Sequence, residues 1–293
     1  MSAYKKDRIA ALATPPGPGA LAVIRISGEN LSGLIPQLTG QNSLAPRYAL
    51  YTSILSPVDG ETLDKGIVTF FNSPHSFTGE DVIEISCHGG EHIPRSILSA
   101  LYASGVRPAN PGEFSFRAFI NGKIDLVQAE SITTLISAKT SKGVSASLSG
   151  LSGKLTSNID VLKIQLLNTL SMIEHELDFS EDEISHIEIK TYIHSIEQVG
   201  ITLSSILESA AFGKAVFNGV RVVLIGRPNT GKSSLFNSIL GHERAIVSSV
   251  PGTTRDTIES WFDLDGFPVC IVDTAGLWDS DNYLESIGIK RTR

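Results

Sequence analysis

Residues 226–233 read GRPNTGKS and lie between an apolar run, residues 220–225, and a helical pattern that begins at Ser234. Glycines in such a loop let backbone amides wrap a polyphosphate, and the following helix N-terminus adds partial positive charge. Lys232 would reach the terminal phosphates, and Ser233 would offer its hydroxyl to Mg²⁺. The order of strand, loop and helix favours a phosphate-binding loop over a plain glycine turn. Its predicted nucleotide contacts are Asn229, Thr230, Gly231, Lys232, Ser233 and Ser234.

Two downstream segments, PGTTRD at 251–256 and IVDTAG at 271–276, indicate which nucleotide enzyme this is. Thr254 could close over Mg²⁺, and Asp273 ends an apolar strand with a carboxylate that would face the metal through a water molecule. A nucleotide switch needs loop groups that contact the terminal phosphate and its metal, so that hydrolysis releases them. The segments therefore predict the two switches of a GTPase. The predicted contacts are Ser248, Ser249, Val250, Pro251, Gly252, Thr253 and Thr254 in the first, and Asp273, Thr274, Ala275 and Gly276 in the second.

Leu277 stands where many small GTPases carry a glutamine that orients the attacking water. Because leucine cannot hydrogen-bond to water, another group must position the nucleophile. Glu285 is the predicted catalytic residue, and a solvated carboxylate on a helix face is the alternative interpretation. The side-chain carbonyl of Asn229 could help to hold a monovalent cation against the phosphates.

These segments, together with ESIGI at 285–289, resemble the MnmE (TrmE) family of bacterial and organellar tRNA-modifying GTPases. The front of the chain strengthens the resemblance with ATPPG at 13–17, SPHSFTGED at 73–81, NPGEFS at 110–115 and NGKIDL at 121–126. The resemblance thus extends over nearly the whole chain. Its order separates this sequence from GTPases that share only the phosphate loop.

For the N-terminal region, the resemblance implies a tetrahydrofolate-binding domain similar to the glycine-cleavage aminomethyltransferase, with 5-formyltetrahydrofolate or a related folate as ligand. The matching folate contacts are Arg25, Glu84 and Lys123. A strand carboxylate can accept hydrogen bonds from the amino edge of a pterin, and arginine or lysine can meet the carboxylate or carbonyl oxygens of the cofactor. The alternatives are that Glu84 faces solvent and that Arg25 belongs to a surface pair.

For the whole protein, the resemblance implies a potassium-activated GTPase with Asn229, Ser248, Val250 and Thr253 as K⁺ ligands, although Pro251 restrains Val250. It implies a homodimer through the N-terminal region and an FAD-dependent partner, MnmG (GidA). Together they would modify C5 of the wobble uridine of tRNA with a folate one-carbon unit. A regulatory or ribosome-assembly GTPase with an N-terminal dimerisation module is the alternative. A folate-dependent methyltransferase with a vestigial switch is disfavoured, because the phosphate-site motifs are intact.

The composition bears on nucleic-acid binding, on the state of the cysteines and on membrane association. A net charge of −7 argues against a broad basic surface that would grip nucleic acid unaided. The two cysteines, Cys87 and Cys270, lie in apolar runs and predict buried thiols rather than a disulfide or metal site. We find no signal-peptide core and no apolar stretch that approaches a membrane span, which predicts a cytoplasmic protein.

With 293 residues and 41% hydrophobic content, the chain can bury more than one core. Short β-rich runs predict an α+β domain over residues 1–120, and apolar spacings of three and four predict a helical domain, expected to be incomplete, over residues 121–213. Residues 214–293 predict part of a P-loop GTPase α/β domain. The guanine-reading motif Asn-Lys-x-Asp does not occur in the sequence, so we expect a fragment with phosphate recognition but no guanine selectivity.

Overall fold

A computed structural model describes residues 7–178, 188–225, 231, 234–235, 238–239, 241, 245–246 and 259–273 of the chain. Its contacts divide the chain into two compact units, Met1–Ala129 and Glu130–Arg293. The predicted fold class, an α+β region followed by a helical region and part of an α/β region, is confirmed. The predicted domain boundaries at residues 120 and 213 stay predictions.

The first unit contains a six-stranded mixed sheet with the strand order β3-β4-β5-β2-β1-β6. All neighbouring strands are antiparallel except β1 and β6. The strands are β1 (Ile9–Leu12), β2 (Leu21–Gly28), β3 (Ala49–Leu55), β4 (Thr62–Phe71), β5 (Asp81–His88) and β6 (Arg107–Pro108). A 3-10 turn, Leu31–Leu34, precedes the helices α1 (Ile35–Thr39), α2 (His92–Ala103) and α3 (Glu113–Ile120).

The alternation of apolar and polar residues along β2 and β5 determines the two faces of this sheet. Ile24, Ile26, Ile83 and Ile85 are completely buried and belong to one apolar cluster with side chains of α2. The residues between them, including Arg25 and Glu84, point to the opposite, partly exposed face. The sheet therefore presents its polar side chains on a face that the core does not use.

The second unit begins with helices and continues into a small sheet. Helix α4 (Leu126–Ser137) lies at the boundary between the units, and α5 (Ser141–Leu151), α6 (Lys154–Asp178) and α7 (Ile189–Asn218) follow. The strands β7 (Val220–Leu224), β8 (Ala245–Ile246), β9 (Glu259–Leu264) and β10 (Phe267–Asp273) have the order β7-β10-β9-β8. Positive φ angles at Asp265 and Gly266, 49° and 87°, make the tight turn between β9 and β10.

Helix α7 is long and apolar enough to cross a membrane by length and composition, which differs from our expectation that no segment approaches a span. Length and composition do not distinguish a membrane span from a helix of a soluble protein, which passes the same test. Polar contacts join α7 to α6: the hydroxyls of Thr169 and Ser195 lie 2.8 Å apart, and Tyr192 donates to Glu176 over 2.7 Å.

Both cysteines are buried free thiols, as predicted. Burial, and then the nearby Asp64 carboxylate, raise the pKa of Cys87 to about 11. The thiol therefore stays protonated at neutral pH, which makes Cys87 a core residue rather than a nucleophile.

Candidate functional sites

The sheet register brings two of the predicted folate contacts together. Arg25 on β2 is the direct cross-strand neighbour of Glu84 on β5. Arg25 Nε donates to Glu84 Oε1 over 2.8 Å, and Arg25 Nη2 lies 2.7 Å from the same oxygen. The two side chains remain 28% and 30% exposed. They form an ion pair that a ligand can reach, although its role in binding stays a prediction.

Two aromatic rings flank this ion pair. The guanidinium carbon of Arg25 lies 5.3 Å from the ring centroid of Phe77 and 5.8 Å from that of Phe114. Phe77 belongs to the loop between β4 and β5, and Phe114 lies in the first turn of α3. Both distances are within the range of a cation–π contact. Neither phenylalanine is among the predicted folate contacts.

Lys123, the third predicted folate contact, binds a different part of the loop that carries Phe77. Its Nζ donates to the carbonyl of Pro74 over 3.0 Å. The lysine stem also packs against Gly79, where an added Cβ would lie 3.1 Å from Lys123 Cγ. One loop, residues 72–80, therefore contacts both the Arg25 side and Lys123.

A buried charge network lies behind the same loop. The Arg117 side chain is fully buried and donates to Glu80 over 3.0 Å, to Glu113 over 3.0 Å and to Asp7 over 2.6 Å. Glu80 Oε2 also accepts from the hydroxyl of Ser27 over 2.8 Å. Because an unpaired buried charge is costly, these partners must stay together in the folded unit. The network therefore joins α3 and Asp7, which precedes β1, to the loop of residues 72–80.

Arg107 extends this network to the surface and shifts the acidity of its carboxylates. Its guanidinium contacts Asp7 over 2.8 Å and Glu113 over 2.7 Å. Hydrogen bonds from Arg107 and Arg117 lower the pKa of Asp7 to about 2. Burial opposes ionisation of Glu113, but hydrogen bonds from Arg107, from the Asn110 backbone and from Arg117 lower its pKa to about 2.

This network was not predicted, although the sequence carries one signal for it. Glu113 and Arg117 are four residues apart on α3, a spacing typical of paired charges on one helix face. Arg117 also lies within the apolar run of residues 114–120, where a charge needs partners. No sequence signal links Asp7 and Glu80 to that helix.

A polar cavity of about 420 Å³ adjoins the buried charge network, because Glu80 belongs to both. Its lining includes Glu29, Glu80, Asp81 and Asn121. Asp81 already accepts hydrogen bonds from the backbone of Ser73 and of Leu31. The acidic lining is unsuitable for the anionic tail of a folate, and the three predicted folate contacts do not line this cavity.

In the second unit, the sheet brings the carboxyl end of β7 beside Asp273 at the end of β10. Strands β7 and β10 are parallel, and Asp273 pairs with Leu224. The loop after β7 and the second predicted switch therefore start at neighbouring carboxyl ends, where ligands bind in open α/β sheets. Gly231 has a φ of 86°, and its carbonyl accepts a hydrogen bond from Leu235 N over 2.9 Å.

Most of the predicted nucleotide contacts lie outside the described residues. Gly231 and Ser234 are described, and Asp273 is described through its place in β10. The others outside the described residues are Asn229, Thr230, Lys232, Ser233, Ser248, Ser249, Val250, Pro251, Gly252, Thr253, Thr254, Thr274, Ala275, Gly276 and Glu285. Their predicted roles toward GTP, Mg²⁺, K⁺ and water stay predictions.

The hairpin of β9 and β10 contacts the helices of the second unit through cation–π and aromatic pairs. Lys139 Nζ lies 3.6 Å from the ring centroid of Trp261, and Lys142 Nζ lies 4.4 Å from that of Phe267. Phe212 of α7 meets Phe267 edge-to-face, with the ring centroids 5.4 Å apart. The hairpin that joins the two predicted switches in the chain is thus packed against the helical region.

Comparisons with known proteins agree with these observations. The family described as "GTP-binding protein TrmE N-terminus" matches residues 8–123, and the family described as "MnmE helical domain" matches residues 126–286. A tRNA modification GTPase MnmE from Natranaerobius thermophilus is 41% identical over 98% of the chain and 64% of its own length. The protein of that name from Nitrosococcus oceani is 45% identical over 98% of the chain and 62% of its own length.

The protein of that name from Laribacter hongkongensis is 44% identical over 99% of the chain and 64% of its own length. The chain thus spans less than two thirds of the length of these curated relatives. Both family matches follow the chain in the order that the sequence motifs predict, and the second alone covers more than half of it. The chain belongs to the MnmE family, also called TrmE.

Proposed function

We propose that this protein is a GTP-hydrolysing enzyme of tRNA modification that uses a folate one-carbon unit. Acting with the FAD-dependent partner MnmG (GidA), it adds a carboxymethylaminomethyl-type group to C5 of the wobble uridine. The protein works in the cytoplasm as a homodimer through its N-terminal region. The Arg25–Glu84 pair, reachable on the open sheet face of a chain that also carries a phosphate-loop sequence, is the observation that carries the proposal.

The residues around Arg25 and Glu84 fit a folate. Glu84 supplies a carboxylate on a partly exposed sheet face, where it can accept hydrogen bonds from a pterin edge. Arg25 and Lys123 supply cations for the carboxylates or carbonyls of the cofactor, and Phe77 provides an aromatic surface. A bound folate would supply the one-carbon unit. The protein side chains would bind and orient it.

In the second unit, the residues 226–234 would hold the phosphates of GTP. Ser233, Thr254 and Asp273 would hold Mg²⁺, and Asn229 with Ser248, Val250 and Thr253 would hold K⁺. Glu285 would position the attacking water in place of the missing glutamine. Hydrolysis would change the conformation of the switches and would not itself perform the uridine chemistry.

Titration with 5-formyltetrahydrofolate tests the N-terminal part of the proposal. Saturable binding is expected for the wild-type chain, and Glu84→Gln should weaken it by roughly tenfold or more, because a charge-assisted hydrogen bond is lost. Glu61→Gln, at an exposed position in the turn before β4, is the matched control and should bind as the wild type does. If the wild-type protein binds no folate, a regulatory or ribosome-assembly GTPase is the better interpretation of its function.

GTPase assays test the C-terminal part. The rate in KCl should exceed the rate in NaCl at equal ionic strength, and Glu285→Gln should lower it by about two orders of magnitude. Equal rates in the two salts would refute potassium activation. A Glu285→Gln variant with the wild-type rate would return Glu285 to a solvated helix-face carboxylate.

A further inference from the structure

The contacts of Arg25 suggest more than a simple ion pair. Two of its donors, Nε and Nη2, both meet the single oxygen Glu84 Oε1, at 2.8 and 2.7 Å. Its flat guanidinium lies 5.3 Å from the ring of Phe77 and 5.8 Å from the ring of Phe114. The site thus holds a planar group that donates hydrogen bonds. A carboxylate accepts from its edge, and two aromatic rings lie close to it.

The amino edge of a pterin is chemically a guanidine built into a ring. It is flat, and it presents adjacent N–H donors in the same fork as an arginine. A site that accommodates a guanidinium with one carboxylate and two aromatic rings therefore has the features that recognise this edge. Glu84 Oε2 accepts no hydrogen bond within the described part of the chain, so it can also take a ligand donor.

We propose that Arg25 is an internal stand-in for the pterin edge, and that Phe77 and Phe114 are the aromatic walls of the pterin site. Before a pterin binds, the Arg25 guanidinium occupies Glu84 Oε1 and lies within cation–π distance of both rings. An incoming pterin displaces it and takes over both the carboxylate and the rings. Arg25 then turns to the carboxylates of the folate tail, which 6-methylpterin lacks. This inference rests on the proposed folate function and specifies how its site selects a ligand.

Partial exposure makes Arg25 the easier of two paired arginines in this unit to displace. The two side chains are 28% and 30% exposed, so breaking this pair costs less than breaking a fully buried one. Arg117 provides the contrast in the same unit, because it is fully buried and held by three carboxylates. Arg25 thus lies on the partly exposed face, where a ligand can displace it. Arg117 is held in place and supports the loop that carries Phe77.

The test compares two ligands, 6-methylpterin and 5-formyltetrahydrofolate, by calorimetry on the full chain. Arg25→Met keeps the length of the side chain and removes the guanidinium. It should bind 6-methylpterin about three- to tenfold more tightly, because a competitor is gone. It should bind 5-formyltetrahydrofolate more weakly, because a cationic contact to the cofactor tail is gone. Arg95→Met, at an exposed position of α2, is the control and should change neither affinity.

Three further measurements test the roles of Phe77 and Phe114 and the recognition of the amino edge of the pterin. Phe77→Leu and Phe114→Leu should each weaken 6-methylpterin binding by roughly three- to tenfold. Lumazine, which carries an oxo group in place of the 2-amino group, should bind wild-type protein at least about tenfold more weakly than 6-methylpterin. Methylguanidinium should compete with 6-methylpterin in Arg25→Met, whose Glu84 is vacant, and much less in the wild type. Unchanged circular dichroism and melting temperature would show that each variant is folded.

Each outcome supports or overturns the inference. If Arg25→Met binds both ligands more weakly, Arg25 is a direct ligand contact and not a stand-in. If the phenylalanine variants bind as the wild type does, the aromatic walls are wrong. In both cases, wild-type binding of 5-formyltetrahydrofolate would leave the folate function standing. If neither the wild type nor Arg25→Met binds either ligand, the folate function itself is overturned, and the stand-in with it.

Discussion

The two compact units differ in what covers their apolar side chains. In the first unit, Ile24 and Ile85 are 0% exposed, because the sheet closes its core against α2 within the unit. In the second, helix α6 buries Leu162 to 6% exposure, while Ile164 and Leu167 on the same helix remain 55% and 53% exposed. Helical periodicity is therefore sufficient to form a helix, but only tertiary contacts decide whether its apolar face is covered.

The units differ in their charges as well. The first unit fixes a loop with a fully buried arginine and three carboxylates. The described polar contacts between α6 and α7 are single hydrogen bonds, such as that from Tyr192 to Glu176. Burial and this bond raise the pKa of Tyr192 to about 12. We therefore expect single substitutions to cost more free energy of unfolding in the first unit than in the second.

The largest effect is expected from Arg117→Met. Removing the guanidinium takes away the arginine that contacts the buried Glu80, and one of the two arginines that contact Asp7 and Glu113, which should destabilise the first unit by about 3–5 kcal/mol. Hydrogen exchange in increasing urea should show this loss in peptides of β2 and β5 but not of α6. Arg107 contacts two of the same carboxylates, but its side chain is 38% exposed. Arg107→Met should therefore lower the free energy of unfolding by about 1 kcal/mol or less. Equal losses in the two variants would contradict a special role for burial.

The same substitution made in both units tests the comparison directly. Ile24→Ala removes a fully buried side chain and should cost about 3 kcal/mol, because it leaves a cavity. Ile164→Ala, at a 55% exposed position of α6, should cost less than about 0.5 kcal/mol. Urea unfolding followed by hydrogen exchange of each unit measures both values. A large loss for Ile164→Ala would mean that this face of α6 is covered in solution.

Acid should destabilise the first unit through Asp7 and Glu113. Both pKa values lie at about 2 in the folded state, below the ordinary values of 3.8 and 4.5. The stability that they contribute is fully present above the ordinary values and is lost as the pH falls toward 2. Urea midpoints of the first unit between pH 6 and 2.5 should fall accordingly. The double variant Asp7→Asn, Glu113→Gln should show a flatter profile, and an unchanged slope would exclude these two groups as the cause.

A small effect is expected from Lys139→Met in the second unit. Loss of the cation above Trp261 should cost about 0.5–1 kcal/mol, because the lysine is exposed. Tryptophan fluorescence during urea unfolding provides the measurement, since both tryptophans of the chain, Trp261 and Trp278, lie in this unit. Lys154→Met, at an exposed position at the start of α6, is the control. Should Lys139→Met and Lys154→Met unfold alike, the contact with Trp261 contributes nothing measurable.

Much of the fold could be predicted from the sequence because its signals are local. The alternation through β2 and β5 and the apolar run of β7 identify strands that the structure confirms. Helix α7 (Ile189–Asn218) lies for most of its length in the region where apolar spacings of three and four predict helices. The glycine and lysine pattern of residues 226–233 predicts a phosphate loop in the same local way, since its chemistry depends on consecutive residues.

The candidate folate site was only partly predictable. Family motifs identify Arg25, Glu84 and Lys123 as separate positions, but the ion pair between the first two depends on the register of β2 against β5. Phe77 and Phe114 meet Arg25 from a loop and a helix that lie far apart in the sequence. Contacts of this kind leave no periodic signal, because no fixed spacing relates the residues that make them.

The sequence by itself determined the family, the order of the elements and the residue types available for chemistry, because these are properties of contiguous segments. The tertiary structure alone decided which charges share a buried network and which remain displaceable on the surface. Arg117 and Arg25 illustrate this division: both are arginines paired with glutamates, yet one is fully buried and the other is 28% exposed. The physical reason is that burial sets both the cost of breaking an ion pair and its access to a ligand, and burial depends on residues far apart in the chain.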